Sequence, residues 1–239
     1  MKKYNDIDVL ILVGGLGTRL KSISKSVPKP LVKINDRPFL SILLKHITSF
    51  GFKRIILCTG YKSNAFNKFL KKEKFECEIL ISKEREPLGT GGAIKNAEKL
   101  LRSKSFLVIN GDSFCDINLE KFCLCFKTKK LFAQIAIFPS KKTKDFATIQ
   151  LDKDNYIVNY QEKINLHEKR TSLISTGVYQ FSSRIMKFIE ADKYSSLEFD
   201  ILPNIMKHFE KNFYGFVTEG KFIDIGTPES YEKSKTYLM

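Results

Sequence analysis

A buried strand that runs directly into a glycine-rich turn is the feature that most constrains the fold of this chain. The apolar segment Ile7 to Val13 is followed at once by Gly14, Gly15 and Gly17. Ligands of open α/β sheets collect at the carboxyl ends of the strands, where this turn falls. Glycines there let backbone N–H groups approach phosphate oxygens without a side chain in the way. The segment predicts a phosphate site on an α/β sheet, although bare glycines would also suit a simple tight turn.

Predicted strands and helices alternate through the first 130 residues. The first helix has a stripe of apolar side chains, with Asp36 expected as its N-terminal cap, Pro38 in its first turn and Gly51 as its end. The predicted strands span 7–13, 54–59, 78–82 and 106–110, and the later helices span 63–72, 92–101 and 118–127. This alternation is typical of a mainly parallel sheet with helices on both faces.

The second part of the chain is richer in strands. Runs of β-branched and aromatic residues predict strands at 131–138, 146–151, 156–162, 173–181, 213–217 and 221–225. Helices are expected at 182–190 and 197–209, and Thr227 and Pro228 open a last one. Neither a repeat nor a linker is evident, so residues 1–239 are expected to form one domain with halves at 1–130 and 131–239.

Composition excludes several classes of protein. The five cysteines form no CxxC pair and the three histidines are far apart, so neither a disulfide framework nor a transition-metal site is expected. No apolar run approaches the roughly 20 residues needed to cross a bilayer, and we expect a cytoplasmic protein without a membrane partner. The net charge of +15 would suit nucleic acid or small polyanions, but the lysines are scattered as on an ordinary solvated surface.

Two common nucleotide motifs do not fit the glycine turn. A Walker A loop requires a lysine at a position where this turn has none, and a dinucleotide fingerprint requires a different glycine spacing. The turn reads Gly14 to Leu20 as GGLGTRL, and Pro28 to Leu31 follows as PKPL. Arg19 and Lys29 would add full positive charges to a bound triphosphate.

Together these two segments resemble the signature of the sugar-1-phosphate nucleotidylyltransferase family. Further segments follow in the family's order along nearly the whole chain: Pro87 to Ala93, Asn110 to Asp112, Glu162 and Lys163, Ser175 to Tyr179, Ser196 to Glu198, and Phe222 to Pro228. The resemblance implies a Rossmann-like, three-layer nucleotidyltransferase fold with a mixed, mainly parallel sheet and a sugar-binding second half. It also implies transfer of a nucleoside monophosphate from a triphosphate to a sugar 1-phosphate, with release of pyrophosphate.

The resemblance assigns roles to individual residues. Arg19 and Lys29 would be catalytic, and Asp112 and Asp224 would hold Mg²⁺, an ion that prefers oxygen ligands. The expected nucleotide-binding residues are Gly14, Gly15, Gly17, Thr18, Glu84, Glu86, Gly89, Thr90 and Asp112. The expected sugar-phosphate residues are Glu162, Lys163, Gly177 and Glu198. Each has a plainer interpretation: Asp112 as a turn residue, Asp224 as a buried aspartate, Gly177 as a packed strand glycine.

The base and the sugar are predicted less directly. Guanine presents two adjacent N–H donors that one carboxylate accepts together, so Glu84 or Glu86 favours GTP, unless both glutamates only pair with nearby cations. The motif wording resembles D-glycero-D-manno-heptose 1-phosphate guanylyltransferases, which make GDP-heptose for surface polysaccharides such as capsules. Mannose-1-phosphate guanylyltransferases and uridylyl- and thymidylyltransferases share many motifs, and Ile164 replaces the proline of the usual EKP.

Two readings from other classes are open at this point. The charge alone would suit a non-catalytic protein that binds nucleic acid or another polyanion, which would lose affinity steeply with salt. A non-catalytic sugar-nucleotide sensor would keep the fold, but intact Arg19, Lys29, Asp112 and Asp224 argue against it. We therefore expect an enzyme with GTP and a sugar 1-phosphate as partners, no nucleic acid, and a possible homo-oligomeric state.

Overall fold

A computed structural model gives the structure of the chain. It describes residues 4, 6–15, 17, 20, 27–60, 62–143, 146–161, 171–209 and 211–238. None of the described helices is both long and apolar enough to span a bilayer.

Thirteen strands and six α-helices make up the regular structure of the described residues. The strands are β1 Asp8–Leu12, β2 Lys33–Ile34, β3 Arg37–Pro38, β4 Arg54–Thr59, β5 Glu78–Lys83, β6 Ser105–Asn110, β7 Ser113–Cys115, β8 Ala133–Ser140, β9 Thr148–Leu151, β10 Ile157–Gln161, β11 Ser172–Ser182, β12 Phe213–Val217 and β13 Phe222–Asp224. The α-helices are α1 Phe39–Ser49, α2 Ser63–Lys72, α3 Gly89–Asn96, α4 Leu119–Lys129, α5 Leu202–Met206 and α6 Pro228–Tyr237. Short 3₁₀ helices lie at Lys29–Leu31, Glu98–Leu100 and Ser183–Phe188, and a π-helical turn lies at Leu197–Ile201.

One nine-stranded mixed sheet forms the centre of the molecule. Its main path runs β10-β9-β11-β6-β1-β4-β5; off this path, β8 pairs with β11 and β12 pairs with β8. Strands β6, β1, β4 and β5 are parallel, whereas β11 is antiparallel to β6, β8 and β9. The expected mixed α/β sheet is confirmed: four neighbouring parallel strands come from the first half of the chain, and β8 and β12 form a further parallel pair in the second half.

Side chains from both faces of the sheet are buried. Along β1, Val9 and Ile11 pack on one side with α1, α2 and α4, and Leu10 packs on the other with α3 and α5. A parallel strand covered on both faces must be apolar at successive positions, which is why β1 reads as a continuous hydrophobic run. The three expected layers follow from this pattern.

The prediction that Asp36 caps the first helix is wrong. Asn35 and Asp36 have φ values of 47° and 67° and form the tight turn of the β2–β3 hairpin. Two successive residues with positive φ are typical of the type I′ turns that join short antiparallel strands, and Asn and Asp tolerate them well. Helix α1 begins after Pro38 and has no side-chain cap.

The helix expected at 197–209 begins with a π-helical turn, and the one at 182–190 is a 3₁₀ helix, Ser183–Phe188. A second difference concerns α3, which begins at Gly89 rather than at Gly92. Strand β7 was not expected at all. It pairs antiparallel with β13, and this ribbon lies outside the main sheet. The ribbon matters because it carries two of the predicted site residues at its ends.

Candidate active site

Two adjoining cavities open at the carboxyl ends of the parallel strands. The larger has a volume of about 430 Å³ and is lined by the ends of β1, β4 and β6 and by the segment after β5. The smaller has a volume of about 140 Å³ and lies against β11. Asn110 and Asp112 line both cavities, so these two residues form part of the wall between them.

Most of the predicted site residues that the structure describes line these two cavities. The larger cavity contains seven of the described residues that were expected to bind nucleotide, together with one expected catalytic residue: Gly14, Gly15, Gly17, Glu84, Gly89, Thr90, Asp112 and Lys29. The smaller contains the two described sugar candidates and both metal candidates: Gly177, Glu198, Asp112 and Asp224. Glu86 lines neither cavity and is exposed.

Asp112 and Asp224, 112 positions apart in sequence, are neighbours in space. Asp224 is the last residue of β13 and lies opposite Ser113, and the backbone N–H of Ile225 donates to the carbonyl of Asp112 at 2.9 Å. Lys29 brings a positive charge to both carboxylates: its Nζ is 2.6 Å from Oδ2 of Asp112 and 3.9 Å from Oδ2 of Asp224. Two carboxylates and one ammonium therefore meet where the cavities join.

The donor set at this junction fits Mg²⁺. The ion accepts one or two protein carboxylates and fills its other positions with water and substrate phosphate oxygens. The two aspartates supply such carboxylates, and Lys29 shows that a cation is attracted to both of them. The described residues contain no cluster of three histidine, cysteine or acidic side chains that could enclose a metal by themselves. Such a site would depend on bound substrate for its remaining ligands.

Glu84 is a buried carboxylate at one end of the larger cavity. Its side chain follows β5, its residue is only 9% exposed, and its Oε2 accepts a hydrogen bond from the backbone N–H of Leu88 at 3.1 Å. Burial raises the pKa of Glu84, and the Leu88 bond offsets part of this increase. The neighbouring Cys58 thiol has its pKa raised by burial and by the Glu84 charge, so it is an inert wall rather than a nucleophile.

The glycines at the start of α3 are explained by packing within the protein. A Cβ at Gly89 would lie 2.4 Å from the carbonyl oxygen of Ser195, and one at Gly92 would lie 2.8 Å from that of Lys193. The N–H groups of Gly91 and Gly92 donate to the Ser195 carbonyl at 2.9 and 3.3 Å. These amides are thus engaged by the segment 193–195, which was not among the expected site residues, and only the cavity-facing side of the turn remains for a ligand.

Gly177 is required by the packing of Asn110. It has a φ of +76°, and a Cβ there would lie 2.6 Å from Nδ2 of Asn110. Among the described residues, Oδ1 of Asn110 is buried without a hydrogen-bond partner. Because buried polar atoms are nearly always paired, this oxygen in the wall of both cavities is a candidate for accepting a bond from a ligand.

Four predicted site residues lie outside the described part of the chain, namely Thr18, Arg19, Glu162 and Lys163. Conversely, Asn110, Tyr179 and Tyr194 line the cavities and were not predicted. Asn110 precedes the expected Asp112 in the same motif, which is a signal that sequence reasoning could have used. Tyr194 lies in an irregular segment that is bonded to α3, and the sequence around it contains no motif that would have indicated a site residue.

Comparisons with known proteins show the family of the chain. A family model described as nucleotidyl transferase matches residues 8–238. The D-glycero-alpha-D-manno-heptose 1-phosphate guanylyltransferase of Campylobacter jejuni subsp. jejuni serotype O:2 is 36% identical over 230 residues, covering 94% of this chain and 97% of that one. The protein of the same description from Aneurinibacillus thermoaerophilus is 33% identical, covering 97% and 98%.

A solved structure is similar over nearly the full length. HddC from Yersinia pseudotuberculosis, complexed with GMP-PN, superposes with a TM-score of 0.84 and 36% sequence identity, covering 98% of this chain and all of that chain. The resemblance expected from the motifs and the expected fold class are thereby confirmed.

Proposed function

Since the chain belongs to the nucleotidyl transferase family, we propose that it transfers GMP from GTP to a sugar 1-phosphate, with D-glycero-D-manno-heptose 1-phosphate as the favoured acceptor, and releases pyrophosphate. The observation that carries this proposal is the position of Asp112, which lines both cavities beside Asp224 and Lys29. A triphosphate in the larger cavity and a sugar phosphate in the smaller would present their reacting phosphates to the same carboxylate.

The chemistry needs little from the protein beyond position and charge. A phosphate monoester has a second pKa near about 6, so at neutral pH its oxygen attacks without a dedicated base. In the proposed reaction this oxygen attacks the α-phosphorus of GTP in line and expels pyrophosphate. Lys29 lies at the junction, where its ammonium would stabilise charge on the reacting phosphate. The wall formed by Asn110 and Asp112 would set the approach of the two substrates.

A divalent cation belongs to this proposal. Asp112 and Asp224 would hold Mg²⁺, which when bound would neutralise charge on the triphosphate. Lys29 must then release at least one carboxylate, and the phosphates of the substrate offer its ammonium a new partner. We place the proposed reaction in the cytoplasm and its product in the supply of a surface polysaccharide.

Selection of guanine is assigned to Glu84 rather than to Glu86. Both were candidates, but only Glu84 lines the cavity, and Glu86 is exposed outside it. A carboxylate accepts the N1–H and the exocyclic amine of guanine together, whereas uracil and thymine present one such donor. One Glu84 oxygen already accepts from Leu88, and it has a further lone pair for the base.

The test is a substrate matrix. Purified protein is incubated with Mg²⁺, each of four nucleoside triphosphates and the 1-phosphates of heptose, mannose, glucose and N-acetylglucosamine, and pyrophosphate release is measured. We expect the highest kcat/KM for GTP with the heptose phosphate. Highest activity with mannose 1-phosphate would transfer the sugar assignment, highest activity with UTP or dTTP would contradict the role of Glu84, and no release with any pair would refute the function.

A further inference from the structure

A single hydroxyl group connects the two cavities. Oγ1 of Thr90, in the first turn of α3, donates to Oε2 of Glu198 at 2.6 Å and accepts from the backbone N–H of Leu197 at 2.7 Å. Thr90 lines the larger cavity and Glu198 lines the smaller. The residue belongs to a segment expected to bind nucleotide, yet its hydroxyl is directed at the side chain expected to bind sugar.

The two oxygens of Glu198 have unequal surroundings. Oε2 accepts from Thr90 at 2.6 Å and from Oγ of Ser196 at 3.2 Å. Among the described residues, Oε1 is approached only by the hydroxyl of Tyr179, at 3.5 Å, which is too long for a strong bond. Each carboxylate oxygen has two lone pairs. Oε1 is therefore the atom with the capacity to accept a hydrogen bond from a bound ligand.

The local backbone supports a fixed position for Glu198. It lies in the π-helical turn Leu197–Ile201, a widened turn that is common at functional sites. Oγ of Ser196 accepts from the N–H of Phe199 and caps this turn. The preceding Ser195 is bonded through its N–H to Leu88 and through its carbonyl to Gly91. The turn is thus attached to α3 at its backbone, and Thr90 supplies the side-chain attachment.

We infer that Thr90 is a positioning residue for the sugar: it holds Oε2 of Glu198 so that Oε1 accepts a hydrogen bond from a sugar hydroxyl. This inference rests on the proposed function. Because the hydroxyl is bonded to Leu197 and Glu198 and acts through Glu198, its removal weakens binding of the sugar 1-phosphate equally in the ground state and the transition state. Such a loss raises KM for that substrate and leaves kcat nearly unchanged.

The test compares Thr90→Val with Thr90→Ser. Valine has the shape of threonine but neither donates nor accepts, whereas serine retains both bonds. Thr90→Val removes a hydrogen bond to a charged group, so KM for the sugar 1-phosphate is expected to rise by about 10-fold or more. KM for GTP is expected to change by less than about 3-fold. Thr90→Ser is expected to restore KM for the sugar 1-phosphate to near the wild-type value.

Two controls separate this role from general damage. Thr48→Val makes the same chemical change on α1, at a residue that lines neither cavity, and leaves both KM values at wild type. In a Glu198→Ala background, Thr90→Val has no further effect on KM for the sugar 1-phosphate, because the side chain that it positions is already absent.

The outcomes are distinct. A raised KM for GTP with an unchanged KM for the sugar 1-phosphate would overturn the inference, as would effects of Thr90→Val and Glu198→Ala that simply add. A lower thermal midpoint with unchanged kinetics would also overturn it, since it would make Thr90 a structural residue only. Wild-type protein that releases no pyrophosphate would overturn the proposed function and this inference with it, whereas an active wild type beside an unaffected Thr90→Val overturns the inference alone.

Discussion

Replacement of Glu84 by glutamine tests base selection with little change of shape. Glutamine keeps one oxygen that can accept from the Leu88 N–H, so the loop is expected to keep its conformation. The amide NH₂ replaces the other acceptor and opposes one guanine donor. Hydrogen bonds to charged groups are worth about 1.5–3 kcal/mol, which at 1.36 kcal/mol per tenfold predicts a fall of about 10- to 100-fold in kcat/KM for GTP. The 9% exposure of Glu84 means that water replaces the lost contact poorly.

The assay uses inosine triphosphate as well as GTP. Inosine lacks the exocyclic amine, so wild type is expected to prefer GTP by about 10-fold or more, and Glu84→Gln is expected to lose most of this preference. Glu86→Gln is the matched control, because the same change is made two residues away at an exposed position outside the cavity. Equal use of GTP and inosine triphosphate by wild type, or an unchanged kcat/KM for GTP in Glu84→Gln, would refute the reasoning.

The same substitution has a predicted effect on stability. Burial raises the pKa of Glu84, so the folded protein holds a proton at pH values where the unfolded chain has lost it. The free energy of unfolding contributed by this group therefore decreases as pH rises from the ordinary glutamate pKa of 4.5 through the raised folded value. Glu84→Gln removes this loss, and its thermal midpoint relative to wild type is expected to increase with pH through that window. A difference independent of pH would contradict the desolvation argument.

Three further predictions concern the metal site, the backbone at Gly177 and the pH dependence of stability at Asp8. Asp224→Asn keeps an oxygen that accepts from the Gly226 N–H, so the fold is expected to be retained. Pyrophosphate release with Mg²⁺ is expected to fall by at least about 100-fold. Undiminished release would remove Asp224 from the metal site. Gly177→Ala forces a Cβ against the Asn110 side chain at a φ of +76° and is expected to lower the free energy of unfolding by about 2–4 kcal/mol. Urea denaturation measures this, and an unchanged free energy of unfolding would contradict it. Asp8→Asn removes the negative charge that pairs with the buried Arg54 guanidinium at 2.6 Å and replaces one acceptor oxygen by an NH₂ group, and it is expected to cost about 3 kcal/mol. Burial raises the pKa of Asp8, but hydrogen bonds from the Arg102 backbone, Arg54 and Ser103 outweigh this effect and hold the pKa below its ordinary 3.8. The loss of unfolding free energy, measured by urea denaturation, should therefore reach its full size above about pH 4 and shrink as pH falls through the lowered pKa. A loss that persists in acid would contradict this.

The centre of the parallel sheet was predictable because β1, β4 and β6 are buried on both faces. Strand β4 and helix α2 have the bounds that the sequence predicted, since an unbroken apolar run and an amphipathic stripe are strong signals. Asp36 misled the prediction because Asp is favoured both at helix caps and in type I′ turns, and only the pairing of β2 with β3 distinguishes them.

The irregular parts of the site were less predictable. The apolar stripe of 197–209 predicts a helix but not the π-helical turn at its start, where Glu198 is bonded to Thr90, a residue 108 positions away in sequence. The glycines of α3 illustrate the same limit. Their spacing indicated close backbone approach, but the sequence could not show that the approaching group is the Ser195 carbonyl rather than a ligand.

The meeting of Asp112 and Asp224 depends on the register of the short β7–β13 ribbon. Asp224 lies opposite Ser113, and the bond from the Ile225 N–H to the Asp112 carbonyl fixes the next step of the ladder. A shift of one residue would turn the Asp224 side chain to the opposite face of the ribbon, away from Lys29. With only three residues in each strand, this register cannot depend on the ribbon's own hydrogen bonds alone. The side chains of Phe114 and Ile223 lie opposite each other in the ribbon and are buried in the same core as α1, so burial of that face holds Asp224, the next residue, on the other.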